Sequence, residues 1–188
     1  MIRTFIAIDV PNTVKTAVTA VQNDLRRMFP RDSVRWTRSE GIHLTLKFLG
    51  DVPEAEIPRV IEAVKDAAVE VSCFELVTTI TGGFPNLRRP RVLWWGIEGG
   101  GELLELQKRL DGRMKALGFE PEEKTFHPHL TVGRVNEFSR ESGLAARFGE
   151  LKLEAIRWRA EEVNVMSSVL RPTGAEYTAL GRLKLGAG

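Results

Sequence analysis

Two hydrophobic rhythms share this chain, one of period two and one of three to four residues, and they take turns along it. Phe5 to Val10 is a short, largely β-branched apolar run stopped by Pro11, which predicts a strand. Val14, Ala17, Val18, Val21, Leu25 and Met28 then fall at steps of three and four until Pro30, the stripe of an amphipathic helix. Ile42, Leu44, Leu46 and Phe48 alternate with His43, Thr45 and Lys47 up to Gly50, the pattern of a half-buried strand. Ile57, Val60, Ile61, Val64, Ala67 and Ala68 make a second helical stripe after Pro53, and Phe74 to Ile80 reads as another strand.

The order then starts again. Val92 to Ile97 predicts a strand; Leu103, Leu106, Leu110, Met114 and Leu117 predict a helix closed by Gly118, where a left-handed cap is favoured. An alternating run follows at His129 to Val132. After it come a short helical stretch at Leu144 to Phe148 and strands at Leu151 to Trp158, Val163 to Val169 and Tyr177 to Leu185. Arg3 lies 40 positions before His43 and Arg91 lies 38 before His129, so strand, helix, extended segment and histidine-bearing strand recur at nearly equal lengths. The expected fold is α+β: one domain over residues 1–188, holding an internal repeat of roughly 3–80 and 91–158. Turn-like connectors such as Arg171-Pro172-Thr173-Gly174 favour mainly antiparallel sheet, and the duplication favours two pseudo-symmetric lobes with helices on the outer faces and a cleft between them.

Composition narrows the picture. At 188 residues and 43 % hydrophobic content the chain can bury a core, and a net charge of +2 steers polyanions only weakly, so any nucleic-acid contact is local. The densest basic run, Arg88-Arg89-Pro90-Arg91, reads as a solvated loop more readily than as a phosphate contact. A single cysteine, Cys73, forms no intrachain disulfide, and the first apolar run is too short for a signal peptide or membrane span. A cytoplasmic monomer without membrane contact is expected.

The candidate chemistry sits in His43-Leu44-Thr45-Leu46 and His129-Leu130-Thr131-Val132. Residues two apart on a strand share a face, so each segment anchors through its leucine and presents an imidazole and a hydroxyl together. If the repeats face each other, two imidazoles and two hydroxyls share one site. One neutral ring can then accept a proton from water while the other donates to a leaving oxygen, and threonine hydroxyls can steady the phosphate oxygens. A lone histidine with a threonine two residues on would be weak evidence. Here two of the chain's three histidines begin the same pattern at matching places in the repeat. The third, His127, makes His-Pro-His with His129 and raises the question of a metal, but no nearby Cys, Glu or Asp has a convincing ligand spacing, so no metal or cofactor is expected. His127 reads as a partly exposed residue before a proline.

These motifs resemble the 2H phosphoesterase superfamily, and within it the bacterial and archaeal RNA 2′,3′-cyclic phosphodiesterases first described as 2′-5′ RNA ligases. The resemblance is carried by Arg3 to Ile8, Trp36, the run from His43 to Gly50, and Phe126-His127-Pro128-His129-Leu130-Thr131-Val132-Gly133-Arg134, and spans nearly the whole chain. It implies a bilobal fold with one motif per lobe and hydrolysis of an RNA or nucleotide 2′,3′-cyclic phosphate to a 2′-phosphate. It also implies that His43 is the proton donor, His129 the acceptor, and Thr45, Thr131 and Arg134 the phosphate contacts. Replacing water by a 5′-hydroxyl in the reverse direction would give a 2′-5′ linkage.

Strand parity adds three expectations. Strict alternation puts Arg134 on the face of Leu130 and Val132, so the strand has to bulge or end near Gly133 for the guanidinium to reach the cleft. Lys47 falls on the His43 face, as a phosphate attractor or a rim lysine. Phe48 falls on the opposite face, in the core rather than under a base. Beside the enzyme stand two other readings: a non-catalytic RNA- or nucleotide-binding module with the same cleft, and a related enzyme acting on a different phosphoester.

Overall fold

A computed structural model describes residues 1–121, 125–137, 143–171 and 174–186. Nine strands form one sheet: β1 (Ile2–Asp9), β2 (Val34–Trp36), β3 (His43–Val52), β4 (Phe74–Phe84), β5 (Val92–Glu98), β6 (His129–Val135), β7 (Arg157–Ala160), β8 (Glu162–Arg171) and β9 (Gly174–Lys184). Four α-helices accompany them: α1 (Asn12–Met28), α2 (Ile57–Ala68), α3 (Gly100–Ala116) and α4 (Leu144–Gly149). The strand order is β7-β4-β5-β6-β3-β1-β8-β9, with β2 beside β6, and every ladder between named strands is antiparallel.

That order is palindromic about the β6–β3 neighbours. β6, β5 and β4 on one side answer β3, β1 and β8 on the other. Each side therefore borrows a strand from the other part of the chain: β4 leaves β3 to pair with β5, and β8 returns to pair with β1.

One face of the sheet and the helices share a single core. Ile6, Ile8, Leu44, Leu46, Leu93, Trp95, Leu130 and Val132 from the strands pack with Val14, Val18 and Leu25 of α1, Val60 and Val64 of α2, and Leu106 and Leu110 of α3. The helical stripes are those the spacing predicts, except that Met28, at the last turn of α1, is exposed. The strands differ more. β1 and β4 extend beyond the apolar runs, and β2, too short to show a period, joins through Trp36. Only the end of the predicted Leu151–Trp158 strand becomes one: Leu151, Leu153 and Ile156 pack on the core without a ladder, and Thr78 Oγ1 accepts the Ile156 N–H instead. In the predicted Arg171–Gly174 connector, Pro172 and Thr173 lie outside the described residues.

The feature that positions the site is a bulge placed identically in the two histidine strands. Between β1 and β3, Ile6 pairs with Lys47 and Ala7 with Thr45, leaving Leu46 as an extra residue. Between β5 and β6, Leu93 pairs with Gly133 and Trp94 with Thr131, leaving Val132 extra. A bulge reverses side-chain parity beyond it. Lys47 therefore enters the core side and Phe48 the open face, the reverse of both expectations, while Arg134 turns to the open face as the expected bulge near Gly133 requires.

Each bulge is pinned from beneath by a polar side chain of a helix. Gln22 of α1, 3 % exposed, donates from Nε2 to the carbonyls of Val132 (2.9 Å) and Thr37 (2.8 Å). Lys47 donates to Asp111 Oδ1 of α3 at 2.5 Å and to the Glu120 carbonyl at 2.9 Å. Gly133, the counterpart of Lys47, has no room for a side chain: a Cβ there would lie 2.6 Å from Val34 Cγ1, because β2 covers that position.

The Lys47 side chain is 1 % exposed and that of Asp111 27 %. Removing the carboxylate strands a buried ammonium, at a cost of about 3–5 kcal/mol. Asp111→Ala should lower the unfolding free energy in urea by about 3 kcal/mol, and adding Lys47→Met should recover most of it. A loss below about 1 kcal/mol would place the ion pair among those that contribute little.

Candidate active site

β3 and β6 meet at one registered pair, Leu44 opposite Leu130, both fully buried. Carried one residue each way, that antiparallel register sets His43 against Thr131 and Thr45 against His129. The four side chains share the face opposite the leucines, and all four are half-buried. The two histidines then occupy one diagonal of a small square, about 7–8 Å apart by strand geometry, and the two threonines the other. Residues 86 positions apart in sequence become neighbours because each strand buries its leucine at the seam.

Beyond the square opens a cleft of about 820 Å³ lined from both sides of the seam: Thr45 and Phe48 of β3, Phe84 of β4, Val92 of β5, and His129 and Arg134 of β6. Phe48, placed in the core by parity, is 62 % exposed here. Arg91, the last residue of the basic run read as a solvated loop, also lines the cleft. Among the predicted site residues, Thr45, His129 and Arg134 line it directly; His43 and Thr131 do not, and are brought beside them only by the seam register.

Aromatic rings enclose the histidines. His43 stacks on Phe5 with ring centroids 4.8 Å apart and meets the edge of Tyr177 at 5.3 Å. His129 lies 5.0 Å from Phe84, edge-on, and 6.3 Å from Trp94. His127 packs edge-on against Trp94 at 4.6 Å, the contact that occupies its ring. Among the described residues no group of three or more His, Cys, Asp and Glu side chains is arranged to hold a metal ion.

Burial sets the protonation of both rings. It lowers the His43 pKa from 6.5 to about 4, opposed by the negative charge of Asp9 and reinforced by Lys15. Asp9 is the cross-strand partner of His43, and its Oδ2 accepts a hydrogen bond from the buried Asn164 at 3.1 Å. His129 is lowered as well, first by burial; its bond to the His127 carbonyl works the other way, while His127 and Arg134 add to the lowering. A carbonyl only accepts, so His129 Nδ1, 2.6 Å from the His127 oxygen, carries the proton. The neutral ring then keeps Nε2 unprotonated, a lone pair free to take a proton. Sequence reasoning missed Asp9, Gln22 and Asp111, whose parts depend on register and helix docking; the repetition of the two motifs was the one available signal for Phe48.

A model of the LigT-like phosphoesterase family matches residues 8–94 and 97–177. An RNA 2′,3′-cyclic phosphodiesterase of Methanothermobacter thermautotrophicus is 35 % identical over 185 residues, covering 98 % of this chain and 99 % of that protein. One from Thermotoga maritima is 33 % identical over 179 residues, covering 95 % and 92 %. Among solved structures, a Thermus thermophilus protein matches with a TM-score of 0.78 at 27 % identity, with 98 % of both chains covered. Escherichia coli LigT complexed with 3′-AMP has the same fold, with a TM-score of 0.77 at 23 % identity over 98 % of both chains.

The depressed His43 pKa links the site to stability with a definite sign. Unfolded chains take up a proton on this ring below about 6.5, whereas the folded protein resists until about 4. The contribution of the neutral ring is therefore fully present above the upper value and is lost as pH falls between the two. Unfolding free energies measured at pH 7.5 and 4.5 should fall less in His43→Gln than in the parent protein. Equal losses would show that burial does not hold the ring neutral.

Proposed function

The chain belongs to the LigT-like phosphoesterase family, and from that premise we propose that it hydrolyses the 2′,3′-cyclic phosphate of an RNA end or a nucleotide to a 2′-phosphomonoester. The observation that carries the proposal is the Leu44–Leu130 seam, which gathers His43, Thr45, His129 and Thr131 on one face.

A cyclic phosphate over the seam has an imidazole on either side along the diagonal. That is the arrangement an in-line displacement needs, with water arriving opposite the departing O3′. His129 Nε2 takes the proton of the attacking water as the new P–O bond forms. The P–O3′ bond breaks, and His43 gives its proton to O3′. The rings end with exchanged protonation and reset through solvent. Thr45 and Thr131 donate hydrogen bonds to the non-bridging oxygens, and the Arg134 guanidinium offsets the charge they gather.

The direction of proton flow is the one the family resemblance implies, and it requires His43 to gain a proton before it can act. Around His43, Asp9 favours a proton while burial and Lys15 oppose it; around His129, burial and the charges of His127 and Arg134 oppose one, and only the bond to the His127 carbonyl favours it. Burial still outweighs Asp9 in the free protein, where His43 is neutral at pH 7. The anionic phosphodiester supplies the remaining attraction, so binding couples to proton uptake at His43. A bell-shaped pH–rate profile follows. A 5′-hydroxyl in place of water, with the steps reversed, would form a 2′-5′ linkage.

The exposed ring of Phe48, which lines the cleft with Phe84, offers a surface on which the base of the terminal nucleotide stacks. Phe48→Ala should raise KM for a nucleoside 2′,3′-cyclic phosphate by roughly tenfold, since a base–aromatic stack contributes about 1–3 kcal/mol. An unchanged KM would remove the base from that surface.

The central test incubates pure protein and chelator with a nucleoside 2′,3′-cyclic phosphate. The 2′-phosphate should form at an undiminished rate. His43→Ala and His129→Ala should each reduce kcat by about 100-fold or more with circular dichroism unchanged. A 3′-phosphate product would reverse the assigned leaving group, and near-normal turnover by either variant would remove the two-histidine mechanism. Tight binding of the 2′-phosphate without hydrolysis of any cyclic ester would favour a binding module.

A further inference from the structure

Arg91 and Arg134 line the cleft, and Arg35 stands beside Arg134 on the next strand. Arg134 on β6 has Arg35 of β2 as its direct partner on one side and Val92 of β5 on the other. Arg91 immediately precedes Val92 and lines the cleft with Arg134. Arg35 and Arg134 are opposite members of an antiparallel pair, so they share a face, and like charges so placed repel. Among the described residues, no carboxylate ion-pairs with any of the three.

Several arginines elsewhere are ion-paired. Arg59 meets Glu56, Arg113 meets Glu70, Arg157 meets Glu75 and Arg171 meets Glu176. Three arginines at neighbouring positions, none ion-paired to a carboxylate among the described residues, form a local concentration of positive charge on a chain whose net charge is only +2. The backbones are also well fixed. β2 is held to β6 by the Thr37 N–H on the Val132 carbonyl and the Asn136 N–H on the Ser33 carbonyl. Arg91 is tied on both sides, its N–H to the Phe84 carbonyl and its own carbonyl to the Val135 N–H. Three arginines over adjacent strands span two interstrand spacings, about 10 Å, more than one phosphate requires.

We propose that Arg35 and Arg91 form a second anion site, flanking Arg134, that takes an internucleotide phosphate on the 5′ side of the terminal nucleotide. Arg134 stays with the reacting phosphate while its neighbours read the strand that follows. The enzyme then prefers an oligoribonucleotide ending in a cyclic phosphate over a mononucleotide, and does so through the backbone, without base selection. This rests on the cyclic-phosphate reading of the main site.

The test compares a mononucleoside 2′,3′-cyclic phosphate, which has no internucleotide phosphate, with a trinucleotide ending in the same group. The parent protein should show the lower KM for the trinucleotide. Arg35→Gln and Arg91→Gln should each raise that KM by about tenfold, the equivalent of one charge-assisted contact. Arg35→Gln should change neither kcat nor any constant for the mononucleotide, and Arg91→Gln should cost clearly less on the mononucleotide than on the trinucleotide. The double variant should also lose salt dependence, the slope of log KM against log salt falling by about 0.7 per phosphate contact removed. Equal losses on both substrates would assign these arginines to the cyclic phosphate itself, and no loss on either would make them a solvated rim; both results overturn the proposal. If the parent protein hydrolyses neither substrate, the cyclic-phosphate reading fails by itself. Fluorescence anisotropy with a labelled trinucleotide bearing a 2′-phosphate end then tests the subsite alone: weaker binding by the double variant supports it, and equal binding refutes it.

Discussion

One pair of leucines sets the geometry on which the rest of the site depends. Leu44 and Leu130 face each other where β3 meets β6, and both are buried without remainder. A strand cannot turn its leucine inward without turning its flanking residues outward. Burial of two apolar side chains, the least directional force in the protein, thus fixes the orientation of two imidazoles and two hydroxyls. Slipping either strand by one residue would bury the histidines and expose the leucines, a shift the shared core strongly resists.

The bulges at Leu46 and Val132 serve a complementary purpose. A regular strand would carry the polar face of each motif onward by strict alternation, delivering Lys47 and Gly133 to the cleft. One extra residue in each strand delivers Phe48 and Arg134 instead, an aromatic surface on one side of the seam and a fixed cation on the other. The irregularity is held by polar groups buried for that purpose, Gln22 beneath one strand and the Lys47–Asp111 pair beneath the other. These are costly to bury and would be poor choices if stability alone were at stake. Their location under the two bulges accounts for them.

Much of this was legible in the sequence because it followed from period. The helical stripes of α1, α2 and α3, the two histidine strands and their repetition all appear as simple rhythms in apolar residues. The shared core then needs no further information. Parity failed where the strands depart from regularity, since an apolar bulge residue such as Leu46 is indistinguishable from one more step of the alternation. Arg134 was expected in the cleft only because the family resemblance asked for a phosphate contact there. Aligning the motifs against each other sets Leu46 with Val132, Lys47 with Gly133 and Phe48 with Arg134. The bulge inferred for one strand would then have moved Phe48 out of the core in the other. β2 and the exchange of β4 and β8 between the sides leave no periodic trace at all, being decided by long-range pairing.

Palindromic topology creates a problem that the sequence solves locally. Two equivalent histidine strands around a pseudo-two-fold centre would present equivalent rings, yet hydrolysis needs one to give a proton and the other to take it. Aromatic enclosure does not break the tie, because it lowers both pKa values. Neighbouring charge differs between them: Asp9 stands beside His43 at the end of β1 and favours its proton against Lys15, while Arg134 follows His129 along β6 and disfavours one there. His43 still starts neutral, so the anionic ester supplies the rest of the attraction for its proton. The His127 carbonyl completes the asymmetry by fixing the proton of His129 on Nδ1 and leaving Nε2 open. In such a frame duplication brings the groups together, and the few residues that differ between the halves give the reaction its direction.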